Sequence, residues 1–319
     1  MLQTVSLPFW NRAEHRPRAW VRILLQLALL ALIGFGPEYA VMKVRQASSA
    51  HPSALFSHGS AFVISAFAMV LTVAIAGRLF DRRGLEGFGL SFRRSALVDL
   101  AFGTALGGVL MLGIACLEAS LGVARYREAF IYRASLLPIA TLPTAIVLFV
   151  AVSVREELLF RGYQLTNLAE GFSSRWLPGA SAPILAALLS SFVFGLAHAG
   201  NPHASVLSTI NIVVAGLMLA IPYLLTGDLG LAMGLHFGWN FFQNVLDMPV
   251  SGQTWFDYGA MVQRRTFGPD WLTGGSFGPE AGVTGLVAML VGTTMILLWL
   301  RRRGPLRVHP RFGRWRANE

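Results

Sequence analysis

"AIVLFVAVSVREELLFRGYQ", Ala145–Gln164, decides how the chain is read. Ten apolar or small residues run straight into Arg155, Glu156 and Glu157, with Arg161 four positions on. Charges at such a place are expensive if the run crosses a membrane, and ordinary if it ends at a wet surface. Composition separates the two. Of 319 residues, 54% are hydrophobic and 13% charged, about half the charged share of a soluble domain. Mean hydropathy is +0.57. A soluble protein with an outsized core is the alternative, but so few charges cannot furnish a water-facing shell. The chain reads as an all-α, polytopic transmembrane helical bundle.

About eight segments have the length and apolarity to span roughly 30 Å of hydrocarbon as helices. They lie near Trp20–Val41, Ala61–Phe80, Ala96–Leu121, Leu137–Phe160, Pro183–His198, Val206–Leu225, Leu229–Leu246 and Gly282–Leu300. The fifth and seventh are short, carry polar residues and are the weakest on hydropathy alone. Residues 1–19 and 301–319 form basic tails, 20–136 hold the first three helices, 137–246 a four-helix core, 247–281 an outside loop and 282–300 the last helix.

The net charge of +10 fits topology better than nucleic acid, because the arginines flank apolar segments without an aromatic-interleaved basic patch. With the N-terminus cytoplasmic, nineteen of the 26 Lys/Arg fall on that side. Seven fall outside: Lys43, Arg45, Arg125, Arg127, Arg133, Arg264 and Arg265. That bias puts both termini in the cytoplasm. The tail "RRRGPLRVHPRFGRWR" reads as a stop-transfer anchor attracted to anionic lipid. "GTALG", Gly103–Gly107, is a small-xxx-small pair suited to close helix packing. The N-terminus lacks a short apolar region with a cleavage site and reads as a retained first helix. Cys116, the single cysteine, sits in an apolar run, where neither an intrachain disulfide nor a thiol nucleophile is expected.

Three polar clusters interrupt the spans. In "EELLFR", Glu157 and Arg161 are four apart and share a helix face in the favourable acid-first order. Glu156 points about 100° away. One carboxylate can be neutralised locally while the other stays available. Surface charge at a helix end is the bland alternative. In "FVFGLAH", Phe194 and His198 share a face; a lone His near a helix end is more often simply a satisfied polar residue. His203 reads as a loop residue. In "LHFGWNFFQN", His236 and Asn240 share a face that Asn244 continues. Interhelical hydrogen bonding would be reason enough for that set.

Taken together, three helices offer a carboxylate, two imidazoles and an amide. A carboxylate can deprotonate a water. An imidazole and an amide can donate to a tetrahedral oxyanion. Glu156, His198 and His236 are alternatively the set of a His2Glu zinc site. There is no H-E-x-x-H. "GGSFG", Gly274–Gly278, formally matches G-x-S-x-G but lacks the strand and helix that motif needs. Asp99 and Glu118 lie near opposite ends of one segment, unlike the facing acids of an aspartyl protease.

These residues resemble the CAAX prenyl protease 2 and bacteriocin-processing (CPBP, Abi) family of intramembrane proteases. Its pattern of E-E-x-x-x-R, F-x-x-x-H and H-x-x-x-N or D is met in order by Glu156-Glu157 with Arg161, Phe194 with His198, and His236 with Asn240. "GLMLAIPYLLTGDLGLAMGLH" is also similar to the family's run between its second and third motifs. The likeness covers about Leu137 to Asn244. It implies an intramembrane endopeptidase in which Glu156 activates water, His198 positions it, and His236 and Asn240 stabilise the oxyanion. Glu157, Arg161 and Phe194 would support them. The family is often described as metallopeptidases. A metal-free glutamate mechanism is favoured here, because an amide is a good donor and a poor zinc ligand.

A membrane-embedded, prenylated or leader peptide is the expected partner, the bilayer the surroundings, and a prokaryotic cytoplasmic membrane the location. The competing class is a non-catalytic protein of the same fold: an immunity factor, scaffold or transporter that uses the polar cluster for binding. Depth poses a test. Glu156 falls toward the cytoplasmic end of the fourth segment and His198 toward the outer end of the fifth. The two meet if the fourth helix continues to about Leu168.

Overall fold

The apolar runs become helices. The computed structural model describes residues 8–12, 14–34, 36, 39, 43, 54–131, 138–173, 177, 179–253 and 259–312. Within them a helix stands at each of the eight predicted segments. These are α1 (Ala19–Leu29), α2 (Ala54–Ala76), α3 (Arg94–Ser120), α4 (Pro138–Glu156), α6 (Ser181–His198), α7 (Val206–Thr226), α8 (Gly230–Val245) and α10 (Val283–Arg301). Two shorter helices are α5 (Thr166–Phe172) and α9 (Asp270–Thr273). α1 runs on into a π-helical turn, Leu30–Gly34, and α2 into another, Gly77–Asp81. Most of the first predicted span beyond residue 34 lies outside the described residues, as do Arg45, Arg133, Arg175, Arg314 and Arg316.

Among the described residues five helical segments are long and apolar enough to cross a membrane: Phe62–Asp81, Arg94–Ser120, Ser181–His198, Val206–Thr226 and Val283–Arg301. The fifth predicted span, weak on hydropathy, is among them. The first, fourth and seventh are not: the first helix and its π turn, Ala19–Gly34, form only a shorter apolar helix, and α8 has 16 residues and is the central post of the bundle, with few residues turned outward. α3 packs along it through glycine. A Cβ on Gly103 or Gly107 would strike the α8 backbone at Leu231 or Trp239. One on Gly230, Gly234 or Gly238 would strike Ala96, Leu100 or Thr104 of α3. Contacts advance in the same sense along both helices, so the two are parallel. The small-xxx-small pair read at Gly103–Gly107 is half of this seam.

The outward faces are apolar: Leu188, Phe192 and Leu196 on α6, Val109 and Leu112 on α3, and Leu290 and Leu298 on α10 are exposed. Polar groups turn inward, among them Ser190, Ser191, Asn211 and Gln243. Inside-out polarity of this kind suits hydrocarbon rather than water as the surroundings. At the end bearing both tails, ion pairs tie the elements together. Arg22 meets Asp81 at 2.6 Å and Glu170 at 2.9 Å; Arg83 meets Glu170 at 2.6 Å; Arg303 holds Asp99.

The fold is mostly helical, as expected, with two small sheets added. Two antiparallel two-stranded ribbons are present, β1 (Trp10–Asn11) with β2 (Arg16–Pro17), and β3 (Ala124–Ile131) with β4 (Ala260–Thr266). β3 and β4 follow the parallel helices α3 and α8 and so emerge at the same end. Their pairing is remote in sequence and leaves no hairpin signal. The stretch 247–281, read as a loop, thus carries β4, α9 and a 3-10 turn, Pro279–Ala281. Residues 254–258 of it lie outside the described residues.

Candidate active site

The helical run begun by α4 does not stop at its charges. A π-helical stretch, Glu157–Leu165, carries it into α5, which ends at Phe172. This is four residues beyond the expected Leu168, and it resolves the depth conflict. Glu156 stands about 24 Å from the end of the run at Phe172, and His198 about 26 Å from the start of α6, at 1.5 Å per residue. The two elements therefore bring both residues to one level. π segments are frequent at functional sites. This one seats Phe160 so that its carbonyl accepts from Ser190 Oγ of α6 at 2.7 Å.

The two glutamates separate as their helical phase requires. Glu157 is fully buried; its Oε1 accepts from Arg161 Nη1 at 2.8 Å and faces His236 Nδ1 at 2.8 Å. Arg161 also donates from Nη2 to the Gly216 carbonyl at 3.2 Å. Its guanidinium lies 4.2 Å from the centre of the Phe194 ring, a cation–π contact in a dry site. Phe194 in turn flanks His198, with ring centroids 4.7 Å apart. Glu156 instead turns to an open cavity. Its Oε2 is 3.9 Å from Nε2 of His198 and 3.9 Å from Nε2 of His236.

Both imidazoles are held from behind. His198 Nδ1 lies 2.8 Å from the Phe194 carbonyl, and His236 Nδ1 the same distance from Glu157. An acceptor at Nδ1 fixes the proton there, so each ring presents Nε2 to the cavity. The gaps to Glu156 are too long for direct hydrogen bonds and are of the length one water bridges. Asn240, one turn beyond His236, lines the same cavity. Asn244 does not join it: its side-chain amide donates to the Gly259 carbonyl at 2.9 Å, fixing the loop beyond α8. His203 stands outside, exposed at a turn with φ 60°. The structure thus brings Glu156, His198, His236 and Asn240 together and places Glu157, Arg161 and Phe194 behind them.

The cavity has a volume of about 610 Å³. One wall is apolar, with Leu27, Phe62, Met69 and Leu159; the other carries Glu156, the two imidazoles and Asn240. A metal fits poorly. Ligands about 2.0–2.2 Å from a tetrahedral zinc lie about 3.3–3.6 Å from one another, closer than the 3.9 Å separating Glu156 from either ring. Among the described residues no group of three His, Cys, Asp or Glu has metal-holding geometry.

One acid here was not foreseen. Glu280, in the segment read as an outside loop, is buried. With His198, His236, Asn240 and Ser251 it lines a hollow of about 40 Å³. Gln243 Nε2 donates to it at 2.7 Å and Ser251 Oγ at 3.2 Å. Burial pushes its carboxyl up to about 7 against those two hydrogen bonds. Gln243 also donates to the Pro249 carbonyl, so Glu280 and Gln243 hold residues 249–251 as a roof. The signal was Gln243 itself, three residues beyond Asn240 on a buried face.

Residues 138–242 match the family of Rce1-like type II CAAX prenyl endopeptidases. The match agrees with the resemblance carried by the three motifs. No curated protein and no solved structure matches the chain. The Rce1-like segment contains Glu156, Glu157, Arg161, Phe194, His198, His236 and Asn240. It leaves out the roof with Glu280 and the first three helices. Residues 138–242, about a third of the chain, are thus similar to CAAX prenyl endopeptidases, and five helices among the described residues have the length and apolarity to cross a membrane.

Proposed function

We propose that the protein is an intramembrane endopeptidase in which Glu156 activates a water to hydrolyse a peptide bond. The observation that supports this best is the triangle of Glu156 Oε2 with the two Nε2 atoms, open to a cavity with an apolar wall. A water inside it can donate one proton to Glu156 and the other to His198, whose Nε2 is an acceptor while Nδ1 holds the Phe194 carbonyl. Attack on a peptide carbonyl places the new negative charge toward His236 and Asn240. Asn240 donates through its amide. His236, held at Nδ1 by Glu157, can donate from Nε2 when both ring nitrogens carry a proton. Glu156 then carries the proton taken from water and passes it to the departing amine.

The substrate is a membrane-associated peptide, prenylated or a leader. Eight helices cross the bilayer and both termini face the cytoplasm. No step uses a metal. Glu156→Ala, checked for insertion and folding, tests the reading: cleavage is abolished. Full cleavage by that variant removes Glu156 as the base. A binding-only protein of this fold would keep its function in Glu156→Gln.

A further inference from the structure

The end of the bundle away from both tails carries a surface that the catalytic reading leaves unused. β3 starts four residues past the last residue of α3 and pairs with β4, Ala124 opposite Thr266, Arg125 opposite Arg265 and Arg127 opposite Gln263. Side chains alternate across strands, so the ribbon has two unlike faces. The inner face is neutralised. Tyr126 Oη donates to Glu118 at 3.1 Å and Arg264 Nη2 to the same carboxylate at 2.8 Å. The Arg264 backbone N–H donates to Asp247 at 3.0 Å.

The outer face presents Arg125, Arg127, Gln263 and Arg265, with Met261 and Phe267 at 42% and 62% exposure. No acidic residue stands at outer-face positions 125, 127, 261, 263, 265 or 267. Arg125 and Arg265 are directly opposite, an arrangement that is destabilising without a counter-charge. The Arg125 guanidinium lies 5.4 Å from the Phe267 ring centre, so cation and aromatic present one combined surface.

The level of this face narrows the counter-charge. Apolar side chains open to lipid continue up α3 to Leu117 and Leu121, so the ribbon starts within a turn of the hydrocarbon's edge. Phe267 and, just past it, Trp271 at 59% exposure suit the headgroup layer, where aromatic rings collect. We propose that the outer face of the β3–β4 ribbon docks on anionic phospholipid headgroups of the leaflet it borders. Phosphates would neutralise Arg125, Arg127 and Arg265, while Phe267 and Met261 enter the acyl boundary. Four of the seven basic residues assigned to this side, Arg125, Arg127, Arg264 and Arg265, lie on the ribbon, concentrating the contact there.

The test is lipid binding by the full-length protein in neutral detergent, with phosphatidylglycerol and phosphatidylcholine as probes. R125Q/R127Q/R265Q should weaken phosphatidylglycerol binding on the order of 100-fold at low salt, with about fivefold from each basic residue near a charged surface. R125K/R127K/R265K should restore most of it. R301Q/R302Q/R307Q, on the opposite tail, should leave the ribbon's share intact. Phosphatidylcholine should bind far more weakly to the wild type. The proposal is overturned if the triple Gln variant binds phosphatidylglycerol as tightly as wild type, or if phosphatidylcholine binds equally. Displacement by millimolar inorganic phosphate would also overturn it, showing a soluble-anion site. Glu156→Ala should bind lipid normally, so this outcome is independent of the peptidase reading.

Discussion

Replacing Glu157 with alanine should unfold the protein far more readily than the same change at its neighbour Glu156. Glu157 is fully buried and one of its oxygens serves both Arg161 and His236 at 2.8 Å. Removing it strands the Arg161 guanidinium, 1% exposed, and a buried charge left without its partner costs about 3–5 kcal/mol. The lower end applies, because Arg161 keeps the Gly216 carbonyl and the face of Phe194. The expected loss is therefore about 3 kcal/mol, roughly a 100-fold shift in the folding equilibrium. Glu156 faces the cavity, and among the described residues the two rings approach its carboxylate at 3.9 Å, beyond hydrogen-bond reach. Its loss should change stability by less than about 1 kcal/mol. Reversible unfolding in mixed micelles, titrated with sodium dodecyl sulfate, reads both. The double variant E157M/R161M should recover most of the stability, since an apolar replacement of a buried pair is often neutral or better. It should not recover activity, because His236 loses the carboxylate at Nδ1. Equal destabilisation by Glu156→Ala and Glu157→Ala would refute the division of labour between the two acids.

Three further outcomes follow from the same geometry. Asn240→Ala should lower kcat by about 100-fold or more with little change in KM, the usual effect of losing an oxyanion donor; an unchanged kcat removes Asn240 from that role. Glu280 holds its proton up to about pH 7 in the folded chain, whereas an unfolded chain releases it near pH 4.3. Between those values the folded state binds more protons, so stability should fall as pH rises toward 7 and level off above it. Glu280→Gln should flatten that slope, and a parallel pH profile for wild type and variant would contradict it. Gly234→Leu should weaken the α3–α8 seam by about 3 kcal/mol or more, since even a Cβ there meets the Leu100 backbone; a wild-type unfolding midpoint would show that the helices do not depend on glycine there.

The helices and the chemistry were legible in the sequence to different depths. The spans could be read because apolar length is a local property, and Glu157–Arg161, Phe194–His198 and His236–Asn240 because each pair is one helical turn apart. Gly103 and Gly107 announced a close packing, though not that α8 would be the partner. The link from Glu157 to His236 was not legible: it joins two helices 79 residues apart, and nothing local marks it. Neither was the roof, where Glu280 sits in a Gly/Pro-rich stretch that looks like a solvent loop until Gln243 and Ser251 close on it. The β3–β4 ribbon was missed for the same reason, its strands joined only because α3 and α8 run in parallel.

The central claim is that a water activated by Glu156 cuts a peptide bond within the membrane. Terminal proteomics of membranes expressing either wild type or folded Glu156→Ala, prepared in oxygen-18 water, tests it most directly. The account predicts a new carboxyl terminus, carrying one solvent oxygen, in the wild-type sample alone. Identical termini in the two samples would contradict it.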